Sequence, residues 1–422
     1  MTPSTRQLPR RRSDRPAPSA QVPAEPVAIQ PVIEPPDPPE LLPREWRLRI
    51  DPLLLLAAVG LVGCSLAALR VSTLDDIAGQ PYYYVTRQAV YGVVGVLIMY
   101  GASRLDYSRL RSLTYPIYGT MLGTILVVFL LGSVARGSRR WIELPGFNFQ
   151  PSELGKVLLI LALAGFVVDR MRRFDRQTTG RVMLLGLVPV LLVMAQPDLG
   201  TSLVYVVGTL AVLFVAGAPL RHFAALGGLA AAAVALALVA LPAVGVQVVH
   251  DYQAERLTSF LHPSGDPADA GYQQAQSKIA IGSGEKTGRG VDNATQTSLD
   301  FLPEHHTDFI FAVIGETYGF AGCALVLSLY ALLVWRGLHI LTTAKNLYGA
   351  LIAGGITVML LFQVFVNVGM TVGIMPITGI PAPLLSYGGS SLLVTFLAVG
   401  LLQSVHAQAR ETVARKGRAP LL

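Results

Sequence analysis

Charged residues are scarce in this sequence. Asp, Glu, Lys and Arg make up 14% of its 422 residues, whereas 52% are hydrophobic, and the mean hydropathy is +0.52. Soluble globular domains carry about 25% charged residues. The shortage excludes an ordinary soluble domain and indicates a membrane protein.

Cysteine is almost missing, and the N-terminus lacks the apolar core of a cleaved signal peptide. Cys64 and Cys323 both fall in apolar runs, which predicts small buried side chains and no disulfide framework. Residues 1–43 hold 12 prolines and several arginines. Such a segment cannot bury apolar area, so we predict a disordered cytoplasmic tail.

Long apolar runs are abundant, and a spanning helix needs about 20 such residues. Candidate spans lie at 51–69, 84–101, 113–132, 152–169, 182–196, 199–217, 222–245, 308–335, 347–373 and 384–405. The fifth is short. The sequence therefore predicts an all-α, polytopic membrane protein of about ten helices, with a large extracytoplasmic loop, residues 246–307, between helices 7 and 8.

The distribution of basic residues predicts the orientation. With both ends in the cytoplasm, the inner segments hold 23 of the 33 Lys and Arg residues and the outer segments nine, with Lys156 inside a span. Cytoplasmic loops carry such an excess. We therefore predict a ten-helix domain over 44–408, a basic cytoplasmic tail over 409–422, and no nucleic-acid partner, since topology and anionic lipids account for the net charge of +7.

The stretch FLPEHHTDFIFAVIGE, residues 301–316, joins a polar cluster directly to an apolar run on the predicted outer side. Asp308 follows Thr307, a candidate N-cap, and so is expected in the first turn of the eighth span. A helix N-terminus keeps a carboxylate ionised, and such a group acts as a base or holds a divalent cation. The alternative is a simple capping acid.

Further acids and histidines surround Asp308. Glu304 lies four residues before it and would share a cation with it on one helix face. His305 and His306 are adjacent, so they point to different faces, which is more typical of interfacial histidines than of a two-His metal site. Glu316 lies eight residues beyond Asp308, about 12 Å along the helix, which places it inside the bilayer. An acid there is either functional or a structural hydrogen-bond partner.

Charged residues near the start of the fourth span have two interpretations. Glu153 and Lys156 are three residues apart and share a face. They form a self-neutralising pair, or Lys156 also contacts a substrate phosphate. Arg139, Arg140 and Trp141 lie in the preceding outer loop, against the positive-inside rule, and arginine binds phosphate bidentately.

Irregular segments complete the outer cluster. PITGIPAPLLSYGGSSL, residues 376–392, includes Ser386, and such backbone is tolerated at membrane depth only where it is buried in protein or lines a cavity. Asp198 stands in a turn at an outer helix end. IGSGEKTGRG, with Lys286, lacks Walker spacing and indicates a flexible loop rather than a nucleotide site.

Together these motifs resemble one family. RRWIELPGFNFQPSELGK, QPDLG, SKIAIGSGEKTGRG, FLPEHHTDFIFAVIGE and NVGMTVGIMPITGIPAPLLSYGGSS are similar to segments of the SEDS family (RodA, FtsW and SpoVE), over about residues 45–408. SKIAIGSG and NVGM resemble the elongation members more than the division members.

The resemblance implies a peptidoglycan glycosyltransferase that joins lipid II units at the outer face of the bacterial plasma membrane, for elongation and shape. It implies Asp308 as the catalytic aspartate and as a ligand of a suspected Mg²⁺ or Mn²⁺. It also implies a class B penicillin-binding protein partner and other elongation-complex proteins. The candidate substrate-binding residues are Lys156, Glu153, Arg139, Arg140, Trp141, Asp198, Ser386, Glu304 and Lys286.

Three alternatives stay open. A division-type polymerase would share these motifs. A lipid II flippase would use intramembrane charges as a translocation path, but it needs polar groups on both faces, and the inner loops hold only short basic stretches. A scaffold that only recruits partners would leave the density of outer motifs unexplained.

Overall fold

The computed structural model of the chain describes residues 50–74, 77, 79–135, 138–144, 147–170, 176–235, 270–291, 293–298, 301–302 and 304–418. The predicted tail over 1–43 lies outside the described residues. So do residues 236–269, which include the end of the seventh predicted span and part of the long outer loop.

The described residues are mostly helical. In chain order the elements are α1 (Pro52–Ser72), α2 (Tyr83–Arg104), α3 (Tyr107–Leu110), a 3₁₀ turn (Arg111–Leu113), α4 (Thr114–Leu131), β1 (Ser133–Ala135), β2 (Ser138–Leu144), β3 (Phe147–Phe149), α5 (Pro151–Arg170), α6 (Arg176–Met194), α7 (Leu199–Val215), α8 (Leu220–Ala235), α9 (Ala270–Ser283), α10 (Thr295–Ser298), α11 (Ile310–Thr343), α12 (Leu347–Val372) and α13 (Gly389–Arg418).

Eight helices within the described residues are long and apolar enough to cross a membrane, namely α1, α2, α3–α4 as one stretch, α5, α6, α11, α12 and α13. The apolar α7 has 17 residues, and α8 begins the predicted seventh span. The polytopic helical prediction is confirmed. The fifth span is not short, because α6 already begins at Arg176, and α13 continues to Arg418, into the predicted tail.

Burial separates central helices from peripheral ones. The apolar stretches of α5 and α13 are each 83% buried, and that of α12 is 72% buried. By contrast, those of α2 and α3–α4 are only 28% and 22% buried. Helices α5, α12 and α13 therefore form the middle of the domain, where a helix must be apolar on all sides.

Helix α11 is broken at Gly319, where the sequence predicts one continuous span. Gly319 has φ 63° and ψ −156°, a conformation that is essentially restricted to glycine. The loop 284–290, which follows α9, docks against the break: Arg289 N–H donates to the Glu316 carbonyl at 2.9 Å, and Phe320 N–H donates to the Glu285 carbonyl at 2.9 Å. The glycine-rich loop thus satisfies backbone groups that the interrupted helix leaves open.

A small antiparallel sheet of order β1-β2-β3, not predicted from the sequence, separates α4 from α5. Val134 pairs with Arg139, and Glu143 pairs with Asn148. The strands are short, so their alternation is too brief to read from a single sequence. The sheet leads directly into the buried start of α5.

Candidate active site

Asp308 lies in a tight turn just before α11. The Glu304 carbonyl accepts hydrogen bonds from the backbone N–H groups of Thr307, Asp308 and Phe309 at 3.1, 3.1 and 3.3 Å. The helix begins at Ile310 with Phe309 as its N-cap residue. The prediction of Thr307 as the N-cap is therefore wrong, because a turn centred on Glu304 delays the helix. Asp308 nevertheless stays within two residues of the positive helix end.

The Asp308 turn is fastened to the segment 376–388. Asn367 on α12 donates through Nδ2 to the carbonyls of Asp308, at 3.0 Å, and Ile380, at 2.9 Å. Gly379 has φ +70°, and a Cβ there would lie 3.6 Å from Asp308 Oδ2. The carboxylate therefore faces bare backbone of the segment 376–388, which leaves space beside it.

Ser386 joins the same two segments. Its hydroxyl donates to the Thr307 carbonyl at 2.6 Å and accepts from Ala382 N–H at 2.8 Å. Tyr387 N–H donates to the His306 carbonyl at 2.9 Å. Ser386 is buried and its hydroxyl is engaged within the protein, so its contact with substrate stays a prediction.

The two histidines have different surroundings. His305 is buried, with Nδ1 3.1 Å from the Leu302 carbonyl. The ring of His306 packs against those of Tyr84 and Tyr387, with centroids 4.9 and 5.9 Å away. This aromatic cluster ties the Asp308 turn to α2 and is consistent with the interfacial role. Glu304, four residues before Asp308, accepts a hydrogen bond through Oε2 from the Thr307 hydroxyl at 3.0 Å.

Asp198 caps α7 and lies near the same segment. Its Oδ1 accepts from Thr201 N–H at 3.0 Å, and its Oδ2 accepts from Gln150 Nε2 at 3.2 Å. A Cβ on Gly200 would lie 2.6 Å from the Thr378 carbonyl. The first turn of α7 therefore packs directly on the segment that carries Gly379, and Asp198 belongs to the same assembly as Asp308.

Arg140 on β2 holds the turn before α7. It donates through Nε to the Gln196 carbonyl at 3.0 Å, donates to the Pro197 carbonyl, and lies 3.8 Å from Asp198 Oδ2. Its side chain remains 28% exposed, so it can still meet a ligand. Trp141 is half-buried and pairs with Ser133 in the sheet. The side chain of Arg139 lies outside what the structure describes.

Glu153 and Lys156 form the expected pair on α5. The Lys156 Nζ lies 2.8 Å from the Glu153 carboxylate, and the two side chains are 5% and 4% exposed. Such a pair removes much of the cost of burying each charge. Its part in substrate binding stays a prediction.

Lys286 is the candidate that the structure separates from the others. It is exposed, and its carbonyl accepts from Ala321 N–H at 3.2 Å, beside the break at Gly319. That break lies nine residues beyond the start of α11, about 13 Å at the helical rise. The structure therefore does not bring the Lys286 backbone next to Asp308.

Within the described residues, no group of three or more His, Cys, Asp and Glu side chains is placed to hold a metal ion. The described residues therefore do not supply three or more such ligands to one cation. Mg²⁺ is often bound in another way, by one or two protein carboxylates together with the phosphates of the substrate. Asp308 offers one such carboxylate. Glu304 has φ 55° and lies in the turn before α11, so the predicted shared helix face is not formed, and Glu304 as a second ligand stays a prediction.

Sequence comparison decides the family. The model of the FtsW, RodA and SpoVE family, described as cell cycle proteins, matches residues 47–411. The chain belongs to the SEDS family. This confirms the resemblance of the outer motifs and the multi-pass location in the bacterial inner membrane.

Named relatives include peptidoglycan glycosyltransferases and a sporulation protein. The chain is 37% identical over 360 residues to peptidoglycan glycosyltransferase MrdB of Escherichia coli (strain K12), covering 85% of this chain and 94% of that protein. It is 39% identical to the probable peptidoglycan glycosyltransferase FtsW of Thioalkalivibrio sulfidiphilus, covering 86% and 90%. Stage V sporulation protein E of Bacillus subtilis is 35% identical, covering 86% and 99%.

Solved SEDS structures share the fold. A chain of a peptidoglycan synthase complex described as coordinating polymerization and crosslinking has a TM-score of 0.73 at 33% identity, covering 85% of this chain and 98% of that one. The Rod shape determining protein RodA of Thermus thermophilus has a TM-score of 0.62 at 32% identity, covering 85% and 96%.

Proposed function

We propose that this chain is a peptidoglycan glycosyltransferase that polymerises lipid II at the outer face of the bacterial cytoplasmic membrane. One observation carries the proposal: the Asp308 turn and the first turn of α7 both pack on the segment 376–388, where Gly379 lies beside the Asp308 carboxylate. The names of the SEDS relatives support the reaction class.

The reaction requires one base and one leaving group. The 4-hydroxyl of the acceptor sugar attacks the anomeric carbon of the donor, a new C–O bond forms, and the bond from that carbon to the lipid diphosphate breaks. Asp308 takes the hydroxyl proton. A single displacement converts an α-linked donor into a β-linked product and needs no covalent enzyme intermediate.

The leaving diphosphate requires positive charge as the bond to it breaks. Arg140 is the candidate that the structure favours, because its guanidinium is partly exposed and lies at the turn of Asp198. Lys156 is buried and paired with Glu153, so it would contribute positive charge to the leaving diphosphate from a buried position on α5. Arginine suits this task because its planar fork matches phosphate oxygens.

A Mg²⁺ or Mn²⁺ ion would neutralise the diphosphate further. Asp308, with Glu304, would hold it together with the phosphate oxygens of the substrate. In that arrangement the carboxylate of Asp308 binds the cation and does not act as the base. Cation binding is thus the alternative to the base role of Asp308.

A class B penicillin-binding protein is the proposed partner, in an assembly with other membrane proteins of elongation. The similarity to a chain of a complex that coordinates polymerization and crosslinking supports a crosslinking partner. The motifs SKIAIGSG and NVGM favour elongation over division, while relatives of both kinds match at similar identity.

The test is polymerisation of labelled lipid II by the purified protein with its cognate penicillin-binding protein. We expect Asp308→Ala and Asp308→Asn to lose at least about 100-fold in rate. Asp169→Asn is the matched control, because Asp169 pairs with Arg111 at 2.8 Å on the exposed opposite end of α5. Equal glycan from all variants would refute the assignment of Asp308. No glycan from wild type with a folded, bound partner would favour the flippase, to be measured as lipid II transfer across liposomes.

A further inference from the structure

Asn367 lies beneath the Asp308 turn, on the outer third of α12. We propose that it is a positioning residue that sets the place of the Asp308 carboxylate for glycosyl transfer. This inference rests on the proposed function. It assigns to Asn367 no contact with the reacting atoms; the residue acts through the two backbone segments that it holds.

The two hydrogen bonds of Asn367 define its orientation. Its Nδ2 donates to the Asp308 carbonyl at 3.0 Å and to the Ile380 carbonyl at 2.9 Å, and its side chain is fully buried. Both acceptors are backbone carbonyls, which only the NH₂ end of the amide can serve. The amide orientation is therefore fixed by chemistry, and a side chain without two donors cannot replace it.

The two carbonyls belong to segments that are 72 residues apart in the chain and that face each other at the site. One carbonyl is that of Asp308 itself. The other is that of Ile380, which directly follows Gly379, the glycine that faces Asp308 Oδ2. A single amide thus fixes the position of the Asp308 backbone, which carries the carboxylate, and the position of the backbone at Gly379 and Ile380. It thereby fixes the distance between the carboxylate and that backbone.

The surroundings of Asn367 make a buried amide there costly. Its Oδ1 has no hydrogen-bond partner among the described residues, and its neighbours along the chain are apolar, Val366 and Val368. A buried acceptor without a partner lowers stability. An amide retained at such a cost is typical of a site that needs exact placement of its groups.

The experiment measures kcat and KM for lipid II with the full-length protein and its cognate penicillin-binding protein. Asn367→Leu keeps the branching at Cγ and removes both donors, and Asn367→Asp keeps the shape and, as a carboxylate, has no donor. For both we expect kcat to fall about 100-fold, as a misplaced catalytic group does, with KM within about threefold of wild type. Asn367→Ser keeps one donor on a shorter side chain, and we expect the same fall in kcat.

Asn346→Leu is the matched control, at the other end of the same helix. The Asn346 Oδ1 accepts from Gly349 N–H at 2.8 Å and from the Tyr107 hydroxyl at 3.2 Å, so the variant also loses two side-chain hydrogen bonds, here those of the N-cap Asn of α12. We expect a lower unfolding temperature for Asn346→Leu and a kcat within about threefold of wild type.

Several outcomes would overturn the positioning role. Wild-type kcat in Asn367→Leu would do so, as would a rise in KM without a fall in kcat, which indicates substrate binding. If Asn367→Leu does not fold, wild-type kcat in Asn367→Ser would refute the role equally. Asp308→Asn in the same assay separates the two proposals: if it stays active, the proposed function of the site fails, whereas an inactive Asp308→Asn beside an active Asn367→Leu rejects only the positioning role.

Discussion

Glu316 binds Thr297 twice. Its Oε2 accepts hydrogen bonds from the Thr297 backbone N–H at 3.0 Å and from the Thr297 hydroxyl at 2.6 Å, while Oε1 accepts from Gln296 N–H at 2.8 Å. Glu316 is fully buried. The structural interpretation of this acid is thereby favoured, because its partners are the backbone of the outer segment. The contact fastens α10 to the outer half of α11, which carries the Asp308 turn.

Glu316→Gln is expected to weaken both structure and catalysis. Glutamine keeps one acceptor oxygen, and its NH₂ group would face a backbone N–H, which is also a donor. Hydrogen bonds to charged groups contribute about 1.5–3 kcal/mol each, so we expect a loss of about 3 kcal/mol in unfolding free energy. Thermal unfolding in detergent and the rate of lipid II polymerisation measure the two effects.

Glu285→Gln provides the control for Glu316→Gln, because it makes the same chemical change at a residue that is exposed on the docked loop. Thr297→Val removes only the hydroxyl donor and should lie between wild type and Glu316→Gln. A Glu316→Gln protein with unchanged stability but no activity would contradict the structural role and return Glu316 to the reaction.

The sequence alone suggests Asp308 as a candidate but gives no reason to single out Asn367. A carboxylate beside an apolar run is unusual enough to be noticed in isolation. Asn367 is only one polar residue in a long apolar helix, and its importance depends on carbonyls brought to it by two distant loops. Such tertiary hydrogen bonds leave no local pattern in a sequence.

Gly319 shows how spans can be predicted and their shapes missed. The apolar run across it correctly predicts a spanning helix, because hydropathy reports composition over about 20 residues. The break depends instead on the loop 284–290: a Cβ on Gly319 would lie 2.3 Å from the Gly288 nitrogen. Two glycines of that loop, interpreted from sequence as flexible, are required by close backbone contact: a Cβ on Gly284 or Gly288 would lie 1.8 or 2.1 Å from the carbonyl oxygen of Gly315 or Thr317.

Ser386→Ala separates a structural role from a substrate-binding role. The variant leaves the Thr307 carbonyl and Ala382 N–H without their partner, and buried groups left unpaired cost about 1–3 kcal/mol each. We expect a loss of about 2 kcal/mol in stability together with a lower kcat. Ser391→Ala is the control, because the bond from the Thr395 hydroxyl goes to the Ser391 carbonyl and survives the change. A higher KM at wild-type stability would instead support the predicted substrate contact.

Asp51 joins α1 to α11 and α13 at the predicted inner end. Arg336 donates to Asp51 Oδ2, and the Gln403 side chain bonds both the N–H and the carbonyl of Asp51 at 2.7 and 3.0 Å. Burial raises the pKa of Asp51, but the Arg336 hydrogen bond, Leu54 N–H and the Arg336 charge together lower it below its ordinary value. A carboxyl whose pKa is lowered by folding stabilises the protein above its unfolded pKa of about 3.9 and loses this effect as pH falls further.

Asp51→Asn should therefore lower the unfolding temperature at pH 7, by an amount equivalent to about 3 kcal/mol, because it leaves a largely buried guanidinium unpaired. The difference from wild type should shrink as the pH falls below about 4. Thermal unfolding across this range measures it. Asp51→Asn combined with Arg336→Met should recover part of the loss, and a difference that is constant with pH would argue against the ion pair.

The pair of Glu153 and Lys156 offers a test that a single substitution cannot give. Glu153→Gln or Lys156→Met alone leaves one charge buried at about 5% exposure, so each should lose about 3–5 kcal/mol and activity with it. The double variant removes both charges and should regain most of the stability, measured by thermal unfolding. Its polymerisation rate then decides between the two interpretations. Recovered activity would make the pair structural, whereas a stable but inactive double variant, with a raised KM for lipid II, would show that Lys156 contacts the substrate diphosphate.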